Sequence, residues 1–284
     1  MLLSTNLISY YKEFGLERML DIYAEAGYRA LDFNLDIGDF IGDLDKAHFD
    51  EIREKIESRG LTVGQTHAPF GSNFPEEDRT EARFAEIAKS LEYSSYLGAE
   101  LVVVHPKKAI GYDYLEEPER HFKENLDFYK ALLPYAKKYG VKIAIENIFG
   151  LCTETGKGLN ELLDALNDES FVVCYDVGHA NYTMSKHPEF GISPDGMIRE
   201  IGARLACTHI HDNDGLRDAH TLPFYGNIDW DAVCRAFAEV GYSGNLNYEA
   251  GYFVKTVPVE LRPEAAKYMA KVGYYLIDKI NSYK

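Results

Sequence analysis

The sequence predicts an α/β protein, a single (β/α)8 TIM barrel domain over residues 1–284 with its active site at the C-terminal ends of the strands. Three observations predict it. A pattern of amphipathic stretch, glycine and short apolar run recurs along all 284 residues. The runs LVVV, IAI and FVVC are rich in β-branched residues and lack polar alternation, as parallel strands buried on both faces do. Eight such units with no linker or composition break match the size of this barrel.

The opening Leu2–Thr5 supplies the first strand. GYRALDFNL from Gly27, GLTVGQTH from Gly60, GAELVVVHP from Gly98 and GVKIAIEN from Gly140 supply the second to fifth. SFVVCYDVGH from Ser170 is the sixth, with Asn167 and Asp168 in place of the glycine. GARLACTHIH from Gly202 and GYSGNLNYEA from Gly241 complete the set. The stretches between them read as helices. Leu16, Met19, Leu20, Tyr23 and Ala26 share one face of the first, and Met269, Val272, Leu276 and Ile280 share one face of the last. A glycine just past a helix suits the left-handed position that ends it. A doubly wound open sheet is the competing arrangement, but no GxGxxG or GxxxxGKS loop occurs in the sequence.

Composition narrows the function. A 46% hydrophobic content supports a substantial core. No apolar run approaches the roughly 18–20 residues that span a bilayer, and MLLSTNLISYYKEFG lacks the basic and long apolar regions of a signal peptide. Cys152, Cys174, Cys207 and Cys234 form no CxxC pair, so a reducing cytoplasm is the expected location. The net charge of −16 counts against nucleic acid as a partner, because neutralising phosphates takes a basic stripe. No membrane partner is expected, and pairing of exposed barrel helices into a homo-oligomer stays open.

The strand ends carry the chemistry. The third run ends in Thr66 and His67, the fourth in His105, the fifth in Glu146 and Asn147, and the sixth in Asp176 with His179 close behind. The seventh carries His209 and His211, followed by Asp218 and His220, and the eighth ends in Glu249. Six of the nine histidines therefore sit where a barrel keeps its active site. A single strand-end histidine is ordinarily a hydrogen-bonded structural residue, and Asp176 with His179 also fits a helix cap. Asp212 and Asp214 fit turn chemistry around Gly215. Glu146 and Glu249 are harder to explain structurally. Each ends an apolar strand, and a buried carboxylate costs several kcal/mol without a cation or strong donors. Imidazoles and carboxylates converging from consecutive strands are what a divalent metal takes. His209 and His211 alternate with Ile210, so both point into the barrel. His211, nearer the strand end, is the preferred ligand, with His209 packing or orienting a group behind it.

The order of these motifs resembles the xylose isomerase-like TIM-barrel superfamily, which includes sugar phosphate isomerases and epimerases, ketose 3-epimerases and three-zinc apurinic endonucleases. The resemblance runs from GYRALD to NYEA. It implies one metal held by Glu146 in IAIEN, Asp176 in YDVGH, His211 in HIHDND and Glu249 in LNYEA, with His179 contacting substrate. It implies a divalent-metal-dependent sugar or sugar phosphate isomerase or epimerase in which Glu146 and Glu249 move a proton through an enediolate. The endonuclease branch implies a larger ligand set, and His67, His105, Glu146, Asp176, His179, His211, Asp218, His220 and Glu249 all match it. A three-zinc phosphodiesterase, or a related polyol dehydratase or lyase, is thus the alternative. His67, His105 and His179 are candidate substrate contacts in the sugar reading, and Lys107 is a candidate for a phosphate. Phe33, Phe70, Phe74, Phe149 and Tyr252 are candidate walls of a polyol pocket, and Asp32 a candidate for a hydroxyl. The histidine-rich set favours manganese or zinc over magnesium, with cobalt also compatible.

Overall fold

The computed structural model describes residues 1–70 and 81–284. Its strands are β1 (Leu3–Asn6), β2 (Ala30–Asn34), β3 (Thr62–His67), β4 (Leu101–Val104), β5 (Lys142–Glu146), β6 (Phe171–Asp176), β7 (Leu205–His209) and β8 (Leu246–Tyr248). They form one parallel sheet in the order β7-β6-β5-β4-β3-β2-β1-β8. Just past β7, the Ile210 N–H donates to the Asn247 carbonyl at 2.7 Å and the Glu249 N–H to the Ile210 carbonyl at 3.1 Å. These bonds bring β7 beside β8 and close the barrel.

Around it lie α1 (Ile8–Ala26), α2 (Lys46–Glu57), α3 (Glu81–Tyr96), α4 (Pro118–Tyr139), α5 (Gly156–Leu166), α6 (Val177–Lys186), α7 (Pro194–Ile201), α8 (Trp230–Glu239), α9 (Gly251–Lys255) and α10 (Arg262–Ser282). The expected units are all present. Two short helices, α6 and α9, are additional and follow β6 and β8 directly, so both start at the mouth. Asn167, at φ 47°, ends α5 in the left-handed conformation that glycine adopts after α1 and α4. Asn tolerates that region better than most side chains.

Alternation along the strands divides the interior in two. Val102, Val104, Ile143, Ile145 and Val173 join the large core between sheet and helices. Val103, Ala144, Cys174 and Cys207 face inward and make a small apolar floor on the β4–β7 side. On the opposite side, Ser4, Asp32, Gln65 and Asn247 are buried as well. Above this layer stand the strand-end residues. All four cysteines are free thiols. Among the described residues, no helix is long and apolar enough to cross a membrane.

Candidate metal centre and active site

Among the described residues, three groups of side chains could hold a metal ion, each with its candidate ligand atoms within 4.8 Å of one another: Glu146, Asp176, His209 and Glu249; His67, His105 and Glu146; and His179, His211, Asp218 and His220. Every histidine and carboxylate that the sequence placed at or just behind a strand end is in one of these groups. The pairing differs from expectation in one respect: His209, not His211, stands with Glu146, Asp176 and Glu249. The ladder explains it, because Asp176 is the register partner of His209 in β6–β7. His209 Nδ1 lies 3.2 Å from Glu146 Oε1, 3.2 Å from Glu249 Oε2 and 3.9 Å from Asp176 Oδ2. His211 turns toward the third group. Its Nε2 is 3.0 Å from Asp176 Oδ1 and 3.7 Å from Asp218 Oδ1, and its ring stacks on His220 at 3.9 Å. Glu146 belongs to two groups and Asp176 touches the third, so the three form one continuous cluster.

Local structure fixes these positions. Asp176 ends β6 and caps α6, accepting the His179 N–H at 2.7 Å; such caps stabilise a helix start by about 0.5–2 kcal/mol. The cap and the site therefore share one carboxylate. Asn147 brackets Asp176, donating to its carbonyl at 2.8 Å and accepting its N–H at 2.7 Å. Buried Asp212 accepts from Phe224 N, Ile228 N and Trp230 Nε1, fastening the loop that carries Asp218 and His220. Asp214 makes the expected turn contact to Leu216 N at 2.9 Å.

Gly178 in α6 lets the helix approach β7. A Cβ there would sit 1.9 Å from His211 Cε1. Gly178→Ala is expected to cost about 1–3 kcal/mol by overpacking, read as a lowered denaturant midpoint, and to lower the protein's metal content through the displaced His211.

The electrostatics are those of carboxylates ringed by imidazoles. Burial alone would raise Glu146, but His209 and His105 hold its carboxyl well below the usual range. His105 Nε2 lies 2.9 Å from Glu146 Oε2. Burial also opposes charge on the histidines. It brings His105 down to about 4, whereas the Glu146 carboxylate 3.6 Å from His67 lifts that ring to about 9. His220 reaches about 9 against its burial through Asp218, 2.9 Å away. His179 and His209 are raised well above the ordinary imidazole value despite burial, by Asp176 and by Glu249 with Glu146 respectively. Asp218 is pulled down against burial by His179 and His220.

This donor set fits a divalent cation. His67 Nε2, His211 Nδ1 and Asp218 Oδ1 are buried atoms without a hydrogen-bond partner, which costs stability unless something compensates. Imidazole nitrogens and carboxylate oxygens suit zinc, manganese or cobalt.

A cavity of about 1050 Å³ opens above the cluster, at the upper end of the roughly 300–1,000 Å³ usual for small-molecule sites. His105, Glu146, His179, Asp218, His220 and Glu249 reach it, with Phe70, Phe149 and Lys107 on its wall. The Lys107 peptide is anchored by buried Asn125, which accepts its N–H at 2.7 Å and donates to its carbonyl at 3.3 Å. Phe33 does not face the mouth. It points outward to pack on Phe40 in the main core, because it alternates with inward-facing Asp32. Tyr252 is half exposed and is not on the cavity wall. Phe74 lies outside the described residues. Asp32, a candidate for a hydroxyl, is instead fully buried beneath His209. The sequence signal for that burial is faint: an acid two residues from a strand's end, between apolar neighbours.

The chain resembles known proteins in both sequence and fold. It is 29% identical to the uncharacterised protein y4fM of Sinorhizobium fredii, over 84% of this chain and 82% of that one. It is 27% identical to a probable endonuclease 4 of Acholeplasma laidlawii, over 69% and 72% of the two chains. Among solved structures, a D-tagatose 3-epimerase-like protein superposes with TM-score 0.76 at 21% identity, covering 99% of each chain. The IolI protein with a bound zinc atom superposes with TM-score 0.75 at 21% identity, over 100% of this chain and 99% of that one. The sequence profile described as xylose isomerase-like TIM barrel matches residues 20–272. The chain belongs to the xylose isomerase-like TIM-barrel family.

Proposed function

We propose that the chain is a divalent-metal-dependent isomerase or epimerase acting on a sugar or sugar phosphate. The observation that carries this reading is the pair Glu146 and Glu249: both reach the cavity, and both belong to the group completed by Asp176 and His209. Its structural neighbours, a D-tagatose 3-epimerase-like protein and the IolI protein with a bound zinc atom, support the same class.

A metal held by Glu146, Asp176 and Glu249 together with His211, the ligand that the resemblance implies and that lies 3.0 Å from Asp176, would supply Lewis-acid stabilisation of the oxyanion that develops when a carbon beside a carbonyl loses its proton. The chain's own residues do the rest. Glu249 and Glu146 approach the reacting carbon from different strands, one removing the proton and the other returning it. Retention of the carbonyl position gives epimerisation, and return at the neighbouring carbon gives isomerisation. His179 and His105, on the cavity wall, orient hydroxyls, and Lys107 meets a phosphate where the substrate carries one.

A second reading has its own support. His67, His105, Glu146, Asp176, His179, His211, Asp218, His220 and Glu249 are all in the cluster, as in a three-zinc phosphodiesterase, and a probable endonuclease 4 is among the relatives. The −16 net charge opposes it. The discriminating experiment has two parts: metal content per chain by elemental mass spectrometry, and incubation in D2O with a panel of ketoses and their phosphates. About one ion per chain, with deuterium entering beside the carbonyl, is expected. Three tightly held zinc ions with cleavage of abasic-site DNA and no exchange would overturn the sugar reading in favour of the nuclease.

A further inference from the structure

One face of the barrel wall leaves its aromatic rings half in water. Phe224 and Tyr225, in the loop between β7 and α8, and Tyr268 and Tyr275, two turns apart on α10, are each 46–56% exposed. Tyr275 meets Phe224 at 5.9 Å between ring centroids. Phe253 of α9 joins Tyr225, at 5.4 Å, to Tyr268, at 6.4 Å, so the patch is continuous. Phe224 is also held in the left-handed region, at φ 76°, where buried Asp212 accepts its N–H at 2.9 Å. A bulky side chain at that φ is strained, and such strain clusters at functional contacts. The ring packs on Trp230 at 6.3 Å and on Tyr275, yet about half of it stays exposed. Contacts within one chain therefore offset only part of the strain.

We propose that this face docks a second copy of the chain as a two-fold dimer, and that the pairing braces the segments carrying Asp218, His220 and Glu249. The area fits. Four rings of about 150–250 Å² each, half uncovered, leave roughly 400 Å² of aromatic surface, as much as the largest patch on a typical monomer. With a polar rim this approaches the ~800 Å² per partner of a standard interface. The charge fits a copy as well. A net −16 sets two chains against each other over most of their surface. On α10, however, Arg262, Lys267, Lys271 and Lys279 stand against Glu264 and Asp278. Exposed Glu264, Lys271 and Asp278 flank the two tyrosines and put both signs at the rim. Two such faces meet without like-charge repulsion. Tyrosine, apolar in body and both donor and acceptor at its tip, complements itself, as a two-fold contact requires. The link to the site is short. Phe224 shares one loop with Asp218 and His220, and α9 starts just after Glu249. The Tyr252 N–H donates to the His220 carbonyl at 3.1 Å and ties the two segments together.

The test is sedimentation velocity on the full chain over a range of concentrations. Native protein is expected to sediment at twice the 32.2 kDa of the chain. Phe224→Asp and Tyr275→Glu are each expected to raise the dimer dissociation constant by at least about 30-fold. Tyr135→Glu, on α4 across the barrel, is expected to leave it unchanged. Hydrogen exchange of the native chain above and below that constant needs no variant to fold. Amides of residues 216–226 are expected to be protected about tenfold or more in the dimer. A native chain that stays monomeric throughout the micromolar range would overturn the proposal. So would a dimer that both folded variants leave intact, or protection that appears on another face and not in this loop. No metal or sugar enters these measurements, so each outcome leaves the sugar reading where it stands.

Discussion

Glu249→Gln is expected to lower turnover by about 100- to 10,000-fold, the range that a positioned general acid or base contributes, while the protein stays folded and still binds a sugar. Glu249 is the more exposed of the two carboxylates, at 15% against 1% for Glu146. Glu146 is enclosed by His105, His67, His179 and His209. Two carboxylates in unlike surroundings tend to take unlike roles. Glu146→Gln is therefore expected to remove turnover and also to lower metal content, because Glu146 belongs to two of the three groups. Metal content, sugar affinity and deuterium exchange at the carbon beside the carbonyl, measured on both variants, separate the effects. A barrel that only bound its sugar would show no exchange in the native protein and no change on Glu249→Gln beyond a modest shift in affinity. That result would sink the catalytic reading.

The fold was legible because its signal is repeated. One glycine-plus-apolar run is weak, but LVVV, IAI and FVVC in regular succession leave little besides a parallel barrel, and the runs lie within the observed strands β4, β5 and β6. The strand-end position of Glu146, Asp176 and Glu249 was legible for the same reason, since a charged side chain that ends a doubly buried strand must be compensated. Which of the two inward histidines lies beside Glu146 and Glu249 was not. Both alternate inward, and which of them is level with Asp176 depends on the β6–β7 register, which shifts between Val173 and Cys174. No local sequence feature encodes that shift. Asp32 was a candidate for a substrate hydroxyl, and its buried partners Gln65, Asn247 and His209 were not legible because they come from three other strands, separated from it by 33, 215 and 177 positions. The inward polar layer appears only when the barrel closes.

Metal uptake is expected to release protons, and their number distinguishes one ion from three. In the metal-free protein His67 and His220 are lifted to about 9 by Glu146 and Asp218, and the carboxylates around His179 and His209 raise those rings as well, so the charged form is favoured in all four. His105, down at about 4, favours the neutral form instead. A ligating imidazole must be neutral, so each charged ring that takes a metal gives up a proton, and affinity rises about tenfold per pH unit per proton. Filling the group of Glu146, Asp176, His209 and Glu249 alone is expected to release about one proton, and filling all three groups about four. Calorimetric titration with zinc in buffers of different ionisation enthalpy gives the count directly. The sign runs the other way for the metal-free fold. For His67 the raised value means that its pairing with Glu146 stabilises the protein fully below about pH 6.5 and is lost as pH climbs through about 9. The same rise in pH that weakens the empty cluster strengthens its hold on the ion, so the gain in thermal stability on adding zinc is expected to grow from pH 6.5 to 9. A gain that shrank over that interval would mean that the charged histidines are not the groups that the metal displaces protons from.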